Sequence, residues 1–173
     1  MGIEKAFKDS FFVTKLSEVV GLARSYSLWP LPLATFCWGV EFMSVMALYQ
    51  DISRFGCESL SFSPRQPDVL VVLGTITNKM APILKKIYDQ MCEPKWVISH
   101  GACASSGGIY DTYSVVQGID ELFPVDVYLA GCPPRPEAYI HAFMQLQKIV
   151  QNESLMERRY EQRKNYFKVK AKV

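Results

Sequence analysis

Residues 67–74 read PDVLVVLG. A Pro-Asp turn leads into five consecutive aliphatic residues, Val69–Leu73, and Gly74 ends the run. An aliphatic stretch with no polar alternation, bounded by turn formers, is the pattern of a parallel strand buried on both faces. Downstream, Thr77–Met91 reads as a helix capped by Thr77 or Asn78. KWVIS (95–99) is the next strand, closed by His100-Gly101, and a Gly/Ser-rich loop at 104–108 opens a mixed stretch to Phe123. VDVYLA (125–130) is a further strand ended by Gly131, and Pro134–Gln151 is a helix with Pro136 and Glu137 in its first turn. Upstream, LPLATF (31–36) reads as a short buried strand and Val40–Gln50 as a helix. Phe7, Phe11, Phe12, Leu16, Val19, Val20 and Ala23 give residues 4–24 the spacing of an amphipathic helix.

Strands alternating with helices of this length predict a doubly wound α/β domain with a mostly parallel, flavodoxin-like sheet covered on both faces. Residues 1–152 form this single domain with its N-terminal amphipathic helix, and 153–173 form a basic tail. The chain has 173 residues, 49% hydrophobic and 21% charged, with a formal charge of +2. These values fit one folded core and exclude a disordered or collagen-like chain. Residues 157–173 carry seven Lys/Arg against two Asp/Glu, so the body is net negative and is no general nucleic-acid binder. The tail reads either as an interaction arm or as a solvated helix end.

Ser25–Gln50 contains one acidic residue, Glu41, and no basic one, and is long enough to cross a bilayer. Pro30 and Pro32 break a helix there, and a central carboxylate costs about 2.5–3.5 kcal/mol on insertion. The segment is expected to be buried in a soluble fold, close to a membrane or a membrane partner. The opening MGIEKAFKDSFFVTK is broken by charge throughout and does not read as a secretory leader, so a reducing compartment is expected for the five cysteines.

Ligands of doubly wound sheets bind beyond the carboxyl ends of the strands. Cys37, Cys103 and Cys132 each follow a predicted strand and fall on that edge, among Gly39, Gly101, Gly107, Gly108 and Gly131. Cys57 and Cys92 precede strands and fall on the opposite edge. Three thiols on one glycine-rich edge point to an iron–sulfur site. The competing reading makes each a small buried hydrophobe. A structural zinc lacks its C-x₂-C pair. His100, three residues before Cys103, reads as a packing or supporting residue.

SLWPL (27–31), ATFCWGVEFM (34–43), SRFG (53–56), SPRQPDVLVVLGTITNKMAP (63–82), YDQMCEPKWVISHGACASSGG (88–108) and FPVDVYLAGCPPRPEA (123–138) resemble the PSST-type subunit of respiratory complex I. In that family of NADH–quinone oxidoreductase chains, this is the one that holds the terminal 4Fe–4S cluster. The small subunits of membrane-bound [NiFe] hydrogenases are more distant, and they carry a C-x-x-C before the Glu that this chain lacks. The resemblance implies Cys37, Cys103 and Cys132 as cluster ligands, with Trp38 at the position of the family's second cysteine. The fourth ligand then stays open. Three thiolates with water or a carboxylate, a 3Fe–4S form, and loss of the cluster with retention of a structural role are the alternatives. Cys57 would need its loop to fold over the site, and Cys92 stands where the family motif has a Pro.

The resemblance further implies that Arg54 and Arg65 approach the cluster and the quinone cavity, that Glu41 is a hydrogen-bonded or protonic group beside the cluster, and that Met43, with Trp29, Phe42 and Met46, lines a quinone pocket. The implied partners are other complex I subunits: the large hydrogenase-like subunit, a ferredoxin-like subunit and membrane-arm subunits. The implied place is peripheral, at the cytoplasmic face of a bacterial inner membrane or the mitochondrial matrix side. The implied activity is that of an ion-translocating NADH:quinone oxidoreductase in which this chain is not catalytic alone, since it has no G-x-G-x-x-G turn and no flavin motif.

Overall fold

The computed structural model describes residues 11–57 and 59–153. The reading of residues 4–10 as helix and of 154–173 as a basic arm lies outside these residues. Four parallel strands, β1 (Pro30–Ala34), β2 (Val69–Leu73), β3 (Trp96–His100) and β4 (Val127–Leu129), form one sheet in that order. Five helices accompany them among the described residues: α1 (Phe11–Ser25), α2 (Trp38–Val45), α3 (Ala81–Gln90), α4 (Gly101–Ser106) and α5 (Pro136–Asn152), with 3₁₀ turns at Ile52–Phe55 and Ile119–Glu121.

Every residue of β2 and β3 is buried, as an aliphatic run covered on both faces requires. Val69, Val71 and Leu73 point to one face and meet Trp38, Phe42 and Val45 of α2 and Tyr139, Phe143, Leu146 and Val150 of α5. Leu70 and Val72 point to the other and meet Ala81, Leu84 and Tyr88 of α3, Ala104 of α4 and Phe123.

β1 carries two prolines because it borders the sheet. Leu31 and Leu33 turn their peptide groups towards β2, while Pro30 and Pro32, which lack N–H donors, turn outward. Residues 59–61 run along that outer side, where the Ser61 N–H donates to the Pro30 carbonyl at 3.2 Å. The chain thus leaves β1 on one side and re-enters at β2 on the other. The direction of winding reverses at β1–β2, which sets a crevice at the carboxyl ends of those strands.

Several boundaries differ from the sequence expectation. The helix expected from Thr77 starts at Ala81, because residues 76–78 are held by 114–116: Val116 N–H donates to Ile76 O, Asn78 N–H to Ser114 O, and Thr77 pairs with Val115 in an isolated antiparallel bridge. The helix expected over Val40–Gln50 begins two residues earlier and ends at Val45. The segment expected as a loop at 104–108 is half helix, closed by Gly107 at φ 78°. In α1 the face towards α5 is Gly21 and Ser25, with Gln151 Nε2 donating to Ser25 Oγ, whereas Val19 and Val20 of the expected apolar stripe are exposed. Gly21 lets the two backbones approach closely. No described helix is long and apolar enough to cross a membrane.

Candidate functional site

Each of the three expected cysteines stands just beyond the carboxyl end of a strand. Cys37 is the N-cap residue of α2, after β1. Cys103 lies in α4, which follows β3 without a gap, and Cys132 follows Gly131 after β4. The loops that carry them are tied to one another. The Thr35 N–H and Oγ1 both donate to the Leu73 carbonyl, at 2.9 and 2.8 Å, fastening the end of β1 to the end of β2. The Ala102 N–H donates to the Gly131 carbonyl at 3.0 Å, fastening the Cys103 helix to the Cys132 loop. Trp38 reaches across to His100 at the end of β3, edge-on, with centroids 5.8 Å apart. One rim therefore carries all three thiols.

Their surroundings differ. Cys37 and Cys132 are exposed and Cys103 is buried, with Gly108 folded over its sulfur so closely that an added Cβ would lie 3.0 Å from Sγ. Phe36, immediately before Cys37, holds a left-handed backbone (φ 63°), an unusual conformation for an aromatic residue. Its ring is 70% exposed and tilts against Tyr110 at 6.1 Å. Among the described residues no three His, Cys, Asp or Glu side chains are gathered into a metal-binding group.

Trp38, immediately after Cys37, is 1% exposed. Its ring covers Gly101, where any Cβ would overlap the indole, and its Cδ1 lies 2.8 Å from where a Cβ of Gly74 would be. Both glycines have positive φ and are open to close approach only because they lack side chains. Behind the indole, His100 is fully buried between Trp38 and Tyr139, whose centroid is 5.5 Å away. Among the described residues neither imidazole nitrogen has a hydrogen-bond partner, nor does the Tyr139 hydroxyl. Burial pushes the His100 pKa down to about 4, so the ring is neutral at pH 7, and burial pushes the Tyr139 phenol up.

The other expected residues scatter. Cys57 is buried and donates from Sγ to the Leu28 carbonyl at 3.0 Å; burial raises its pKa and keeps it a thiol. Cys92 is exposed and its thiol donates to the Arg65 carbonyl at 3.4 Å. That bond sets Arg65, in the loop entering β2, on the amino side of the sheet and away from the cysteine rim. Trp29 is on the same side, its carbonyl accepting from the Asp68 and Val69 N–H groups. Arg54 is exposed on the Ile52–Phe55 3₁₀ turn, whose Phe55 carbonyl accepts from Gln147; Gln50, just before the turn, donates to Glu137. Glu41 is half-buried one turn into α2, on the helix face of Cys37.

Met43 is 72% exposed and, with Phe36, Val40, Phe42, Met46 and Phe62, lines an apolar groove of about 630 Å³ beside Cys37. Sequence reasoning does not single out Phe36 and Phe62. The only available signal is their apolar character in segments outside the predicted helices, which spacing alone does not distinguish from core.

The family described as NADH ubiquinone oxidoreductase, 20 Kd subunit, matches residues 37–146. The chain belongs to this family. The NADH-quinone oxidoreductase B subunit of Flavobacterium johnsoniae is 62% identical over 150 residues, covering 87% of this chain and 82% of that protein. The protein of the same name from Aliarcobacter butzleri is 56% identical over 166 residues, 96% of this chain and 97% of its own length. Among solved structures, a chain of the membrane-bound sulfane sulfur reductase, an archaeal respiratory membrane complex, superposes with a TM-score of 0.79 at 34% identity, covering 90% and 89% of the two chains. A chain of the [NiFeSe] hydrogenase of Desulfovibrio vulgaris Hildenborough shares the fold alone, at TM-score 0.54 and 14% identity.

The family implies an iron–sulfur cluster subunit. Among the described residues Cys37, Cys103 and Cys132 share one rim without being gathered into a metal-binding group, and the indole of Trp38 beside Cys37 offers iron no lone pair.

Proposed function

We propose that this chain is the electron-transfer subunit of a complex-I-like NADH–quinone oxidoreductase, in which an iron–sulfur cluster held by Cys37, Cys103 and Cys132 passes electrons to quinone. The observation that carries the reading is the common rim of these thiols, flanked by the groove at Met43. The cluster supplies the one-electron chemistry; the chain holds it, shapes the apolar groove for a quinone headgroup, and sets the polarity around both. The exposed apolar residues of the groove suit the interface with the large hydrogenase-like subunit. A ferredoxin-like subunit would deliver electrons, and the membrane arm would anchor the assembly at the cytoplasmic or matrix face. Glu41, one turn from Cys37, is the acidic group best placed to take or give a proton near the cluster.

A second reading has one observation in its favour. Trp38 is packed as a core residue at a ligand position, which suits a subunit that has lost its cluster and keeps only its shape. Iron and acid-labile sulfide analysis with EPR on the purified assembly separates the two. A reducible signal that Cys103→Ser removes supports electron transfer. Iron analysis and spectra indifferent to Cys103→Ser, Cys132→Ser and Cys37→Ser would leave the structural role.

A further inference from the structure

We infer that Phe36 is the specificity-determining residue of the apolar groove: a fixed aromatic plate on which a fused-ring quinone headgroup stacks, so that the groove prefers naphthoquinones to single-ring benzoquinones. The inference rests on the proposed function, since it presupposes that the groove takes a quinone.

Phe36 holds a φ of 63°, a backbone conformation that suits glycine and strains a residue with a Cβ. Such strain persists where the surroundings over-determine it. On one side the Thr35 N–H donates to the Leu73 carbonyl at 2.9 Å, and Thr35 Oγ1 donates to the Leu73 and Thr75 carbonyls at 2.8 and 3.2 Å. On the other, the Phe36 carbonyl accepts from the Gly39 N–H at 3.4 Å, at the start of α2. The peptide is clamped between the end of β2 and the start of α2. A benzyl group stands where glycine would be relaxed.

Core packing does not account for that side chain, because the ring is 70% exposed. Its ring partner among the described residues is Tyr110, tilted by 53° at 6.1 Å. Tyr110 is held in turn: its carbonyl accepts from Gln117 Nε2 at 3.1 Å and its N–H donates to the Gly107 carbonyl at 3.2 Å. Phe36 therefore lines the groove with its backbone pinned and its ring braced.

The rest of the lining leaves the choice of ligand to that plate. Phe42 is buried at the base, Met43 and Phe62 are exposed at the sides, and no lining side chain carries a hydrogen-bond donor. Ring substituents are thus not sorted by polarity. With exposed walls and a volume of about 630 Å³, the groove also admits a second ring. What differs between headgroups is the area of π-face laid on Phe36, which is larger for a fused ring. The Met43 and Met46 side chains adapt to either headgroup; Phe36 does not.

The test uses the purified complex and two probes with the same tail, a prenylated methyl-naphthoquinone and a prenylated trimethyl-benzoquinone. Kd is measured by ultrafiltration without NADH, and KM by turnover. Phe36→Gly and Phe36→Leu should each weaken naphthoquinone binding about tenfold and benzoquinone binding about twofold. Phe36→Tyr should keep the wild-type ratio, and Tyr110→Ala, which removes the brace, should lose part of it. Phe36→Gly should melt no earlier than wild type, since its backbone is relaxed there; earlier melting with an unmoved ratio would make Phe36 merely structural and overturn the inference. Equal weakening of both quinones in Phe36→Gly, or a wild-type ratio in Phe36→Leu, also overturns it. If Phe36→Gly and Met43→Glu both leave the two quinones bound as in wild type, no quinone sits in the groove. The proposed quinone site then fails and the inference falls with it, an outcome distinct from a groove that binds quinone without regard to Phe36.

Discussion

The indole of Trp38 meets the imidazole of His100 at 80°, and the same indole lies flush on the backbone of Gly101. The first residue of α2 is thereby locked to the junction of β3 and α4, next to the helix that carries Cys103. Trp38 is a packing link between the Cys37 loop and the helix of Cys103. Its removal has consequences for stability as well as for the cluster.

Trp38→Ala should lower stability by about 3–5 kcal/mol, the usual cost of emptying a large aromatic site in a core. Thermal or urea unfolding checks this. Trp38→Cys should separate two effects: earlier unfolding of the iron-free chain, and a higher iron content once reconstituted.

Gly101→Ala should be severely destabilising. Its φ of 86° costs an L-residue about 1–2 kcal/mol, and the new methyl overlaps the Trp38 ring. In the Trp38→Ala background only the backbone part should survive. A double-mutant cycle should give a coupling of about 1–3 kcal/mol. Strict additivity would mean that the indole is not what constrains Gly101.

His100 should make stability depend on pH. Its folded pKa, near 4, is below the ordinary value of 6.5, so the unfolded chain binds the extra proton between these limits. Stability from this group is complete above about pH 6.5 and falls as pH drops towards 4, by about 3 kcal/mol in all. His100→Leu should flatten that part of the profile and, by removing two unpartnered nitrogens, raise stability near pH 5. Urea denaturation of both proteins across pH 4–8 reads the difference; parallel profiles would reject it.

Cys103→Ser and Cys132→Ser should each lower iron and sulfide content, and Cys92→Ser should leave both unchanged. Equal loss at all three would contradict the division of cysteines between the two edges of the sheet.

Met43→Glu, at an exposed position of the groove beside Cys37, should raise the KM for quinone about tenfold, the effect of some 1.4 kcal/mol. Iron content and melting temperature should stay at wild-type values. An unaltered KM would place the quinone elsewhere.

Much of the architecture was legible in the chain. The run Val69–Leu73, with no polar residue in it, has one physical solution in a domain of this size: a strand with helices on both sides. From that followed the alternation of strands and helices, and the separation of Cys37, Cys103 and Cys132 from Cys57 and Cys92, because a cysteine's place before or after a strand fixes its edge. Helix starts were less legible. The backbone of Thr77 and Asn78 is held by residues 114–116, and a long-range bond of that kind leaves no local trace.

By the same rule that sorts the cysteines, Arg65 and Trp29, which precede β2 and β1, belong at the amino side, where the structure has them; only the resemblance set them by the cluster and the quinone pocket.

The sequence by itself determined the fold class, the edge on which the thiols lie and the presence of an indole among them, since each depends on residue type and order along the chain. Only the tertiary structure decided where that indole goes: inward, over Gly101 and against a buried His100 that has no polar partner among the described residues. That outcome depends on two glycines and an imidazole brought from other strands, and steric fit between distant segments exists only once the chain has closed around them.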